Sequence, residues 1–100
     1  MVKHIILWRW KDALTEEEKT QVGLRIKNGL EDLAGKIEGL IDIHVILNTM
    51  TSSNYDLMLE CTFSDTEALA YYAAHPLHVA VKDQIIVPVT KDRACFDYEY

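Results

Sequence analysis

The chain has 100 residues, of which 49% are hydrophobic, and its 10 basic and 16 acidic side chains give a formal net charge of −6. This length suits one domain with a real apolar core, and the acidic balance without a basic cluster excludes an ordinary nucleic-acid-binding surface. No apolar run approaches the roughly 20 residues of a membrane span, and no signal-peptide pattern precedes the first predicted strand. We therefore expect one domain over residues 1–100, cytoplasmic, with neither nucleic acid nor a membrane as its partner.

The first two predicted elements are a strand and a capped helix. Residues 2–10 are dominated by β-branched and aromatic side chains, which is typical of a strand, and the strand centre is apolar on both faces. Thr15 and Glu18 fit a capping box, in which each side chain bonds the other residue's backbone amide. The helix is predicted to run to about Ala34. Its apolar stripe, spaced by three and four residues, consists of Val22, Ile26, Leu30, Leu33 and Ala34.

The middle of the chain predicts a β-hairpin. Residues 40–48 and 55–63 read as strands, and the polar segment 49–54 supplies the turn between them. In the first of these strands one face carries Ile41, Ile43, Val45 and Leu47. In the second strand one face carries Tyr55, Leu57, Leu59, Cys61 and Phe63. Cys61 and Cys95 stand singly in strand-like runs without a CxxC spacing, so we expect two small core residues rather than a disulfide or a reactive thiol.

The last third predicts a helix, an enforced turn, a short helix and a strand. Ser64 and Glu67 fit a second capping box, and the helix that follows is expected to bury Ala68, Leu69, Tyr72 and Ala73. Pro76 ends that helix because proline disfavours the helical conformation of the preceding residue, and it can also begin a short helix that reaches about Ile86. The strand over residues 94–100 places Phe96, Tyr98 and Tyr100 on one face and Cys95, Asp97 and Glu99 on the other.

The order β-α-β-β-α-β predicts an α+β, ferredoxin-like fold, in which two helices cover one face of an antiparallel four-stranded sheet. The opposite face would then expose an apolar patch, which monomeric soluble proteins rarely tolerate when it is large. A two-fold dimer that packs sheet against sheet would bury this patch. We therefore expect a homodimer.

Groups able to exchange protons crowd together in residues 71–78. His78 is a candidate general base, and the Tyr72 hydroxyl is a candidate hydrogen-bond donor to a carbonyl oxygen. Asp97 is the candidate carboxylate that would fix the imidazole's tautomer. Each group also has a structural interpretation: Tyr72 as a core residue, His75 as a helix cap, and Asp97 as a partner of backbone amides.

No recognised cofactor or metal motif accompanies these residues. Two histidines and a carboxylate could in principle bind a metal, but His75 and His78 lie outside any known ligand spacing. The chain also lacks a glycine-rich phosphate loop, a nucleophile elbow and a redox motif. We therefore expect neither a cofactor nor a metal.

Three stretches of the chain, residues 2–7, 72–78 and 96–98, resemble the stress-responsive A/B barrel domain (Dabb) family, and the His-Pro-x-His element is the most specific of them. The resemblance implies a dimeric α+β barrel. It also implies the roles of a plant polyketide cyclase in the family, with a catalytic tyrosine and histidine at Tyr72 and His78 and an orienting carboxylate at Asp97. The implied substrate-binding residues are His4, Ile6, Trp8, Leu57, Leu59 and His75.

Three functional hypotheses follow for a cavity that takes a small apolar or carbonyl-bearing molecule. The first is cofactor-independent proton transfer of the cyclase, lyase or isomerase kind. The second is a non-catalytic stress protein that binds a ligand or acts as a scaffold. The third is a cofactor-free monooxygenase, which would need an activated aromatic substrate.

Overall fold

The computed structural model describes residues 1–100 and has four strands, three α-helices and one short π-helical segment. In chain order the elements are β1 (Val2–Trp10), α1 (Glu16–Glu31), β2 (Leu40–Ile46), β3 (Leu57–Phe63), α2 (Thr66–Ala74), α3 (Pro76–Val81), the π-helical segment (Lys82–Ile86) and β4 (Thr90–Glu99). The sheet order is β2-β3-β1-β4, and every neighbouring pair is antiparallel. The predicted ferredoxin-like topology is confirmed. None of the helices has both the length and the apolar character needed to cross a bilayer.

One face of the sheet carries the core. In β1 the buried residues alternate with half-buried Lys3, Ile5 and Leu7, as the two-residue period of a strand requires. The helices close over this face and complete a cluster of 18 buried hydrophobic residues. The cluster is formed by Val2, Ile6, Trp8, Val22, Ile26, Leu30, Leu33, Ile37, Leu40, Ile43, Val45, Leu57, Leu59, Cys61, Phe63, Ala68, Tyr72 and Ile86.

The first helix cap is confirmed and the second differs from the prediction. The Thr15 hydroxyl accepts a bond from the Glu18 amide at 3.1 Å, and the Glu18 carboxylate accepts one from the Thr15 amide at 3.0 Å. Helix α1 ends at Glu31, earlier than predicted, so Ala34 is exposed. At α2 the cap is Asp65 rather than Ser64, because its carboxylate accepts a bond from the Ala68 amide at 2.8 Å.

The hairpin strands are shorter than predicted, and β2 contains an irregularity. Its register against β3 shifts between Leu40 and Asp42. An extra residue in one strand reverses the alternation of faces at that point. Leu40 is therefore buried and Ile41 is half exposed, which is the opposite of the predicted arrangement at this end of the strand.

The helices leave β4 without cover. No residue of this strand is buried, although Cys95, Asp97 and Glu99 lie on the face that carries the core. The prediction that Cys95 is a core residue is therefore wrong, whereas that for Cys61 is confirmed by its complete burial. The alternation pattern gave the face of Cys95 correctly, but it could not show that no helix covers that edge.

The opposite face of the sheet is open and partly apolar. The β1–β4 register pairs Ile5 with Phe96, and the β1–β3 register pairs Leu7 with Met58. Phe96 is 66% exposed, and the aromatic row on β4 continues through Tyr98. The predicted apolar patch is therefore present on this chain.

Candidate active site

A cavity of about 260 Å³ lies between the α2–α3 region and strands β1, β3 and β4. That space corresponds to roughly nine water volumes, so it suits a small ligand. Its lining consists of His4, Ile6, Trp8, Leu30, Leu59, Tyr72, Ala73, His78, Lys82, Ile86, Val87, Thr90, Lys91, Asp92 and Arg93. The inner walls are mainly apolar, and most charged members of the lining come from the start of β4.

The turn between α2 and α3 positions the second histidine of the His-Pro-x-His element. Pro76 is the first residue of α3, and the His75 ring Nδ1 caps this helix by accepting a bond from the Leu77 amide at 3.1 Å. The His75 ring also contacts the edge of Tyr71, away from the cavity. The first turn of α3 then brings the His78 ring against that of Tyr72, with their centroids 4.2 Å apart.

The surroundings of His78 fix its tautomer. Its Nδ1 lies 3.2 Å from the Ala73 carbonyl oxygen, which can only accept a hydrogen bond. Nδ1 therefore carries the proton and Nε2 keeps its lone pair. Burial lowers the pKa of His78, and the charges of Lys82, His4 and Arg93 act in the same direction against the opposing Ala73 bond. The imidazole is therefore a neutral base at neutral pH.

The Tyr72 hydroxyl is buried without a hydrogen-bond partner. Tyr72 is 1% exposed, and its hydroxyl makes no hydrogen bond of good geometry. The neighbouring Cys61 thiol interacts with it only as a weak acceptor. Burial raises the pKa of Tyr72, so the hydroxyl stays protonated and remains a donor. Burial also raises the pKa of Cys61, to about 12, so that thiol is inert. A buried unpaired hydroxyl costs about 1–3 kcal/mol, a cost that a ligand oxygen would remove.

Asp97 meets a different histidine from the one predicted. Its Oδ1 lies 2.5 Å from Nδ1 of His4, directly across the β1–β4 ladder. The prediction that Asp97 orients the imidazole of His78 is therefore wrong, because the Ala73 carbonyl does so. The rings of Phe63 and Tyr72 contact His4 edge-on, at centroid separations of 6.3 and 6.2 Å.

The structure gathers most of the substrate-binding residues implied by the family resemblance. His4, Ile6, Trp8 and Leu59 line the cavity together with the two proposed catalytic side chains, Tyr72 and His78. His75 and Leu57 are not among the lining residues. Asp97 reaches the cavity through its contact with His4, since His4 is part of the wall.

Sequence reasoning missed the charged mouth of the cavity. Lys91, Asp92 and Arg93 line it, together with Lys82 of the π-helical segment. The predicted strand began only at residue 94, after these residues, whereas β4 begins at Thr90 and pairs with the end of β1. The apolar pattern at the end of β1 was the available signal. An antiparallel strand that pairs along the whole of β1 must begin before residue 94.

One group of side chains has the composition of a metal site. Ligand atoms of His4, Cys95 and Asp97 all lie within 4.8 Å of one another. Burial and the neighbouring Asp97 raise the pKa of the Cys95 thiol. Cys95 is therefore not an activated nucleophile.

Comparison with known proteins finds a matching family model, a curated relative and solved structures of the same fold. Residues 2–100 match the family model described as the stress responsive A/B barrel domain, Dabb. Olivetolic acid cyclase of Cannabis sativa is 28% identical over 85 residues, which cover 82% of this chain and 80% of the cyclase.

Solved structures reproduce the fold closely. A dimeric protein of unknown function with a ferredoxin-like fold from Bacteroides fragilis superposes with a TM-score of 0.91 at 35% identity, covering 99% of this chain and 95% of that one. Hydroxynitrile lyase from Passiflora edulis superposes with a TM-score of 0.71 at 15% identity, covering 97% of this chain and 90% of that one. A putative antibiotic biosynthesis monooxygenase from Nitrosomonas europaea superposes with a TM-score of 0.76 at 11% identity, covering 100% of this chain and 98% of that one. These last two likenesses concern the fold alone.

Proposed function

The chain belongs to the stress-responsive A/B barrel domain family, and on that basis we propose that it catalyses cofactor-independent proton transfer on a small carbonyl compound. One observation carries the proposal. The ring of Tyr72, whose buried hydroxyl makes no hydrogen bond of good geometry, stacks on the imidazole of His78, which is held neutral, in the wall of one cavity. The likeness to olivetolic acid cyclase supports the same class of chemistry.

The proposed reaction begins with proton abstraction. The Nε2 lone pair of His78 removes a proton from the carbon next to the substrate carbonyl. The Tyr72 hydroxyl donates a hydrogen bond to the carbonyl oxygen, and this bond strengthens as the oxygen becomes an enolate. A tyrosine that stays protonated and an imidazole that stays neutral are the protonation states required at the start.

The second half of the reaction depends on the substrate. An enolate that attacks another carbonyl of the same molecule forms a carbon–carbon bond, and the imidazolium of His78 then protonates the new alkoxide. An enolate conjugated with a neighbouring carbon–carbon double bond takes the proton back at the far end of that bond, which is an isomerisation. A simple enolate takes the proton back at the original carbon, which is exchange. Each route returns His78 to its neutral state with every proton accounted for.

The walls indicate the substrate's shape. Ile6, Trp8 and Leu59 offer apolar surface to a short hydrocarbon portion, and the cavity volume limits the molecule to a small size. Lys82 and Arg93 at the mouth would meet a polar or anionic end. A small carbonyl compound with one apolar and one polar end fits this distribution.

Exchange of protons for solvent deuterium tests the proposal directly. Linear methyl ketones from 2-pentanone to 2-nonanone serve as probes, and NMR follows deuterium entering the carbon next to the carbonyl. We expect the protein to accelerate exchange, and Tyr72→Phe and His78→Ala each to remove the acceleration. Tyr71→Phe and His44→Ala, which alter exposed residues, are the matched controls. Equal exchange by the parent protein and both cavity variants would exclude these catalytic roles.

Ligand binding without turnover is the second candidate, and the apolar walls of the cavity favour it. In that case the same ketones raise the melting temperature but undergo no catalysed exchange. Replacing Leu59 with Trp would fill the cavity and abolish the thermal shift. A ligand that binds equally well to this variant must be bound elsewhere.

We also propose that the protein is a homodimer that joins the open faces of two sheets. Ile5, Leu7, Met58 and Phe96 form the apolar centre of that face, and the Bacteroides fragilis structure is described as dimeric. Phe96→Glu should produce monomers in sedimentation measurements. Arg25→Glu on the exposed side of α1 is the control with a new carboxylate outside this face. A dimer that survives Phe96→Glu would place the interface elsewhere.

A cytoplasmic location is a further proposal. Both cysteines are free, as expected in a reducing compartment. Fractionation of cells that express the tagged chain would check this.

A further inference from the structure

Three side chains of different chemistry meet where β1 and β4 pair, and the proposed reaction does not use Cys95. The register places His4 opposite Asp97 and Ile6 opposite Cys95. Since alternate residues of a strand share a face, Cys95 and Asp97 both lie on the face that carries the His4 ring. The resulting group of one imidazole nitrogen, one thiol sulfur and one carboxylate oxygen spans at most 4.8 Å.

We propose that His4, Cys95 and Asp97 bind a divalent transition-metal cation of the zinc type at the rim of the cavity. Imidazole, thiolate and carboxylate are the three ligand types that Zn²⁺ accepts. Mg²⁺ and Ca²⁺ prefer sites made of oxygen atoms, so the sulfur and nitrogen ligands select against them. Three protein ligands leave a fourth position for water or for a small molecule.

The ligands are partly arranged before any metal arrives. His4 is a buried polar residue, 8% exposed, whose ring lies edge-on to Phe63 and Tyr72. Its Nδ1 already contacts the Asp97 carboxylate at 2.5 Å. Cys95 and Asp97 stand on an exposed strand, so their side chains are free to rotate. In a tetrahedral site the Cys95 sulfur would move closer to the other two ligand atoms, and the Asp97 oxygen would move away from His4 Nδ1 to admit the cation.

Binding of the cation changes the protonation of its ligands and their interactions with neighbouring charges. The proton of the Cys95 thiol passes to solvent. The His4 ring binds the cation through one nitrogen and carries its single proton on the other. Arg93 interacts with Cys95 and is the cationic neighbour that must turn away. The remainder of the chain is acidic, with a net charge of −6, and it does not oppose a divalent cation.

Titration with Co²⁺ tests the site, because cobalt replaces zinc and its bond to a thiolate gives a near-ultraviolet charge-transfer band. We expect this band to saturate at one equivalent per chain and to disappear when Zn²⁺ is added. Cys95→Ser should abolish the band, and Asp97→Asn should weaken binding by at least about tenfold. Circular dichroism of each variant, recorded without metal, would establish that it is folded.

Three controls make the test specific. Cys61→Ala removes the only other thiol and should leave the band unchanged, as should His44→Ala at an exposed histidine. Arg93→Gln removes the competing charge and should tighten binding. A parent protein without the band, a band that persists in Cys95→Ser, or a band lost in Cys61→Ala would each overturn the proposal.

Discussion

The two halves of the sheet differ in how completely they are packed. In the filled half, which comprises β2 and β3, α1 lies against β2, and residues such as Ile26, Val45 and Phe63 are almost fully buried. In the cavity half, the α2–α3 junction faces β1 and β4, and β4 has no buried residue. The helices do not cover the four strands equally, and the space beside the uncovered strand leaves room for a ligand.

The polar groups of the two halves differ in the same way. In the filled half, Lys27 and Glu31 satisfy the outer edge of β2: Lys27 Nζ donates to the Val45 carbonyl at 2.8 Å, and the Val45 amide donates to the Glu31 carboxylate at 2.9 Å. In the cavity half, the hydroxyl of Tyr72 is unpaired. The one buried side-chain polar atom without a hydrogen bond of good geometry therefore lies in the half that holds the cavity.

Substitution of the two phenylalanines of the chain should give the largest difference in the free energy of unfolding between the halves. Phe63→Ala should lower the free energy of unfolding by about 3–5 kcal/mol, because it removes a fully buried ring from the filled half. Phe96→Ala should cost less than about 1 kcal/mol when the protein is dilute enough to be monomeric. Urea denaturation measures both values, and equal losses would contradict the difference between the halves.

The edge of β2 gives the next largest effect. Glu31→Ala should lower the free energy of unfolding by about 1–2 kcal/mol, since it leaves the Val45 amide without its acceptor and Lys27 without its partner. Glu16→Ala, which breaks an exposed pair with Lys19, should cost under about 0.5 kcal/mol. Faster hydrogen exchange of the Val45 amide in the Glu31 variant alone would locate the loss; unchanged exchange would contradict this role.

One substitution in the cavity half should increase the stability of the protein. Tyr72→Phe should raise the free energy of unfolding by about 1 kcal/mol, because it removes a buried hydroxyl without a partner. The same substitution should abolish catalysed exchange, so activity and stability would change in opposite directions. Tyr71→Phe, at an exposed position, should leave both unchanged. Thermal unfolding of the three proteins checks this, and a destabilised Tyr72→Phe variant would show that the hydroxyl is satisfied after all.

The pH dependence of His78 gives the smallest expected effect. Burial lowers its pKa below the ordinary 6.5, with Lys82, His4 and Arg93 acting in the same direction. Below pH 6.5 the unfolded chain therefore binds a proton that the folded chain refuses, and stability falls as pH decreases until the lowered pKa is passed. His78→Gln should remove this part of the slope in urea denaturation at several pH values. The acid limb of the exchange rate should likewise have its midpoint below pH 6.5, and a midpoint above it would contradict a half-buried base that is neutral at pH 7.

Sequence patterns alone predicted the architecture and the proximity of Tyr72 and His78. Alternating and three-to-four spacings predicted the β-α-β-β-α-β order, and the Thr15–Glu18 capping box was found where it was predicted. Pro76 predicted the break that separates α2 from α3. These features could be predicted because each depends on residues that are close together in the chain, where backbone geometry fixes which side chains share a face.

Only the tertiary structure decided which distant groups meet. Asp97 contacts His4 rather than His78 because the β1–β4 register sets those two residues opposite each other. Cys95 is exposed because no helix covers β4, although its alternation matches that of a core residue. A two-residue period specifies the face of a strand, but it carries no information on the register between strands or on how far the helices extend across the sheet.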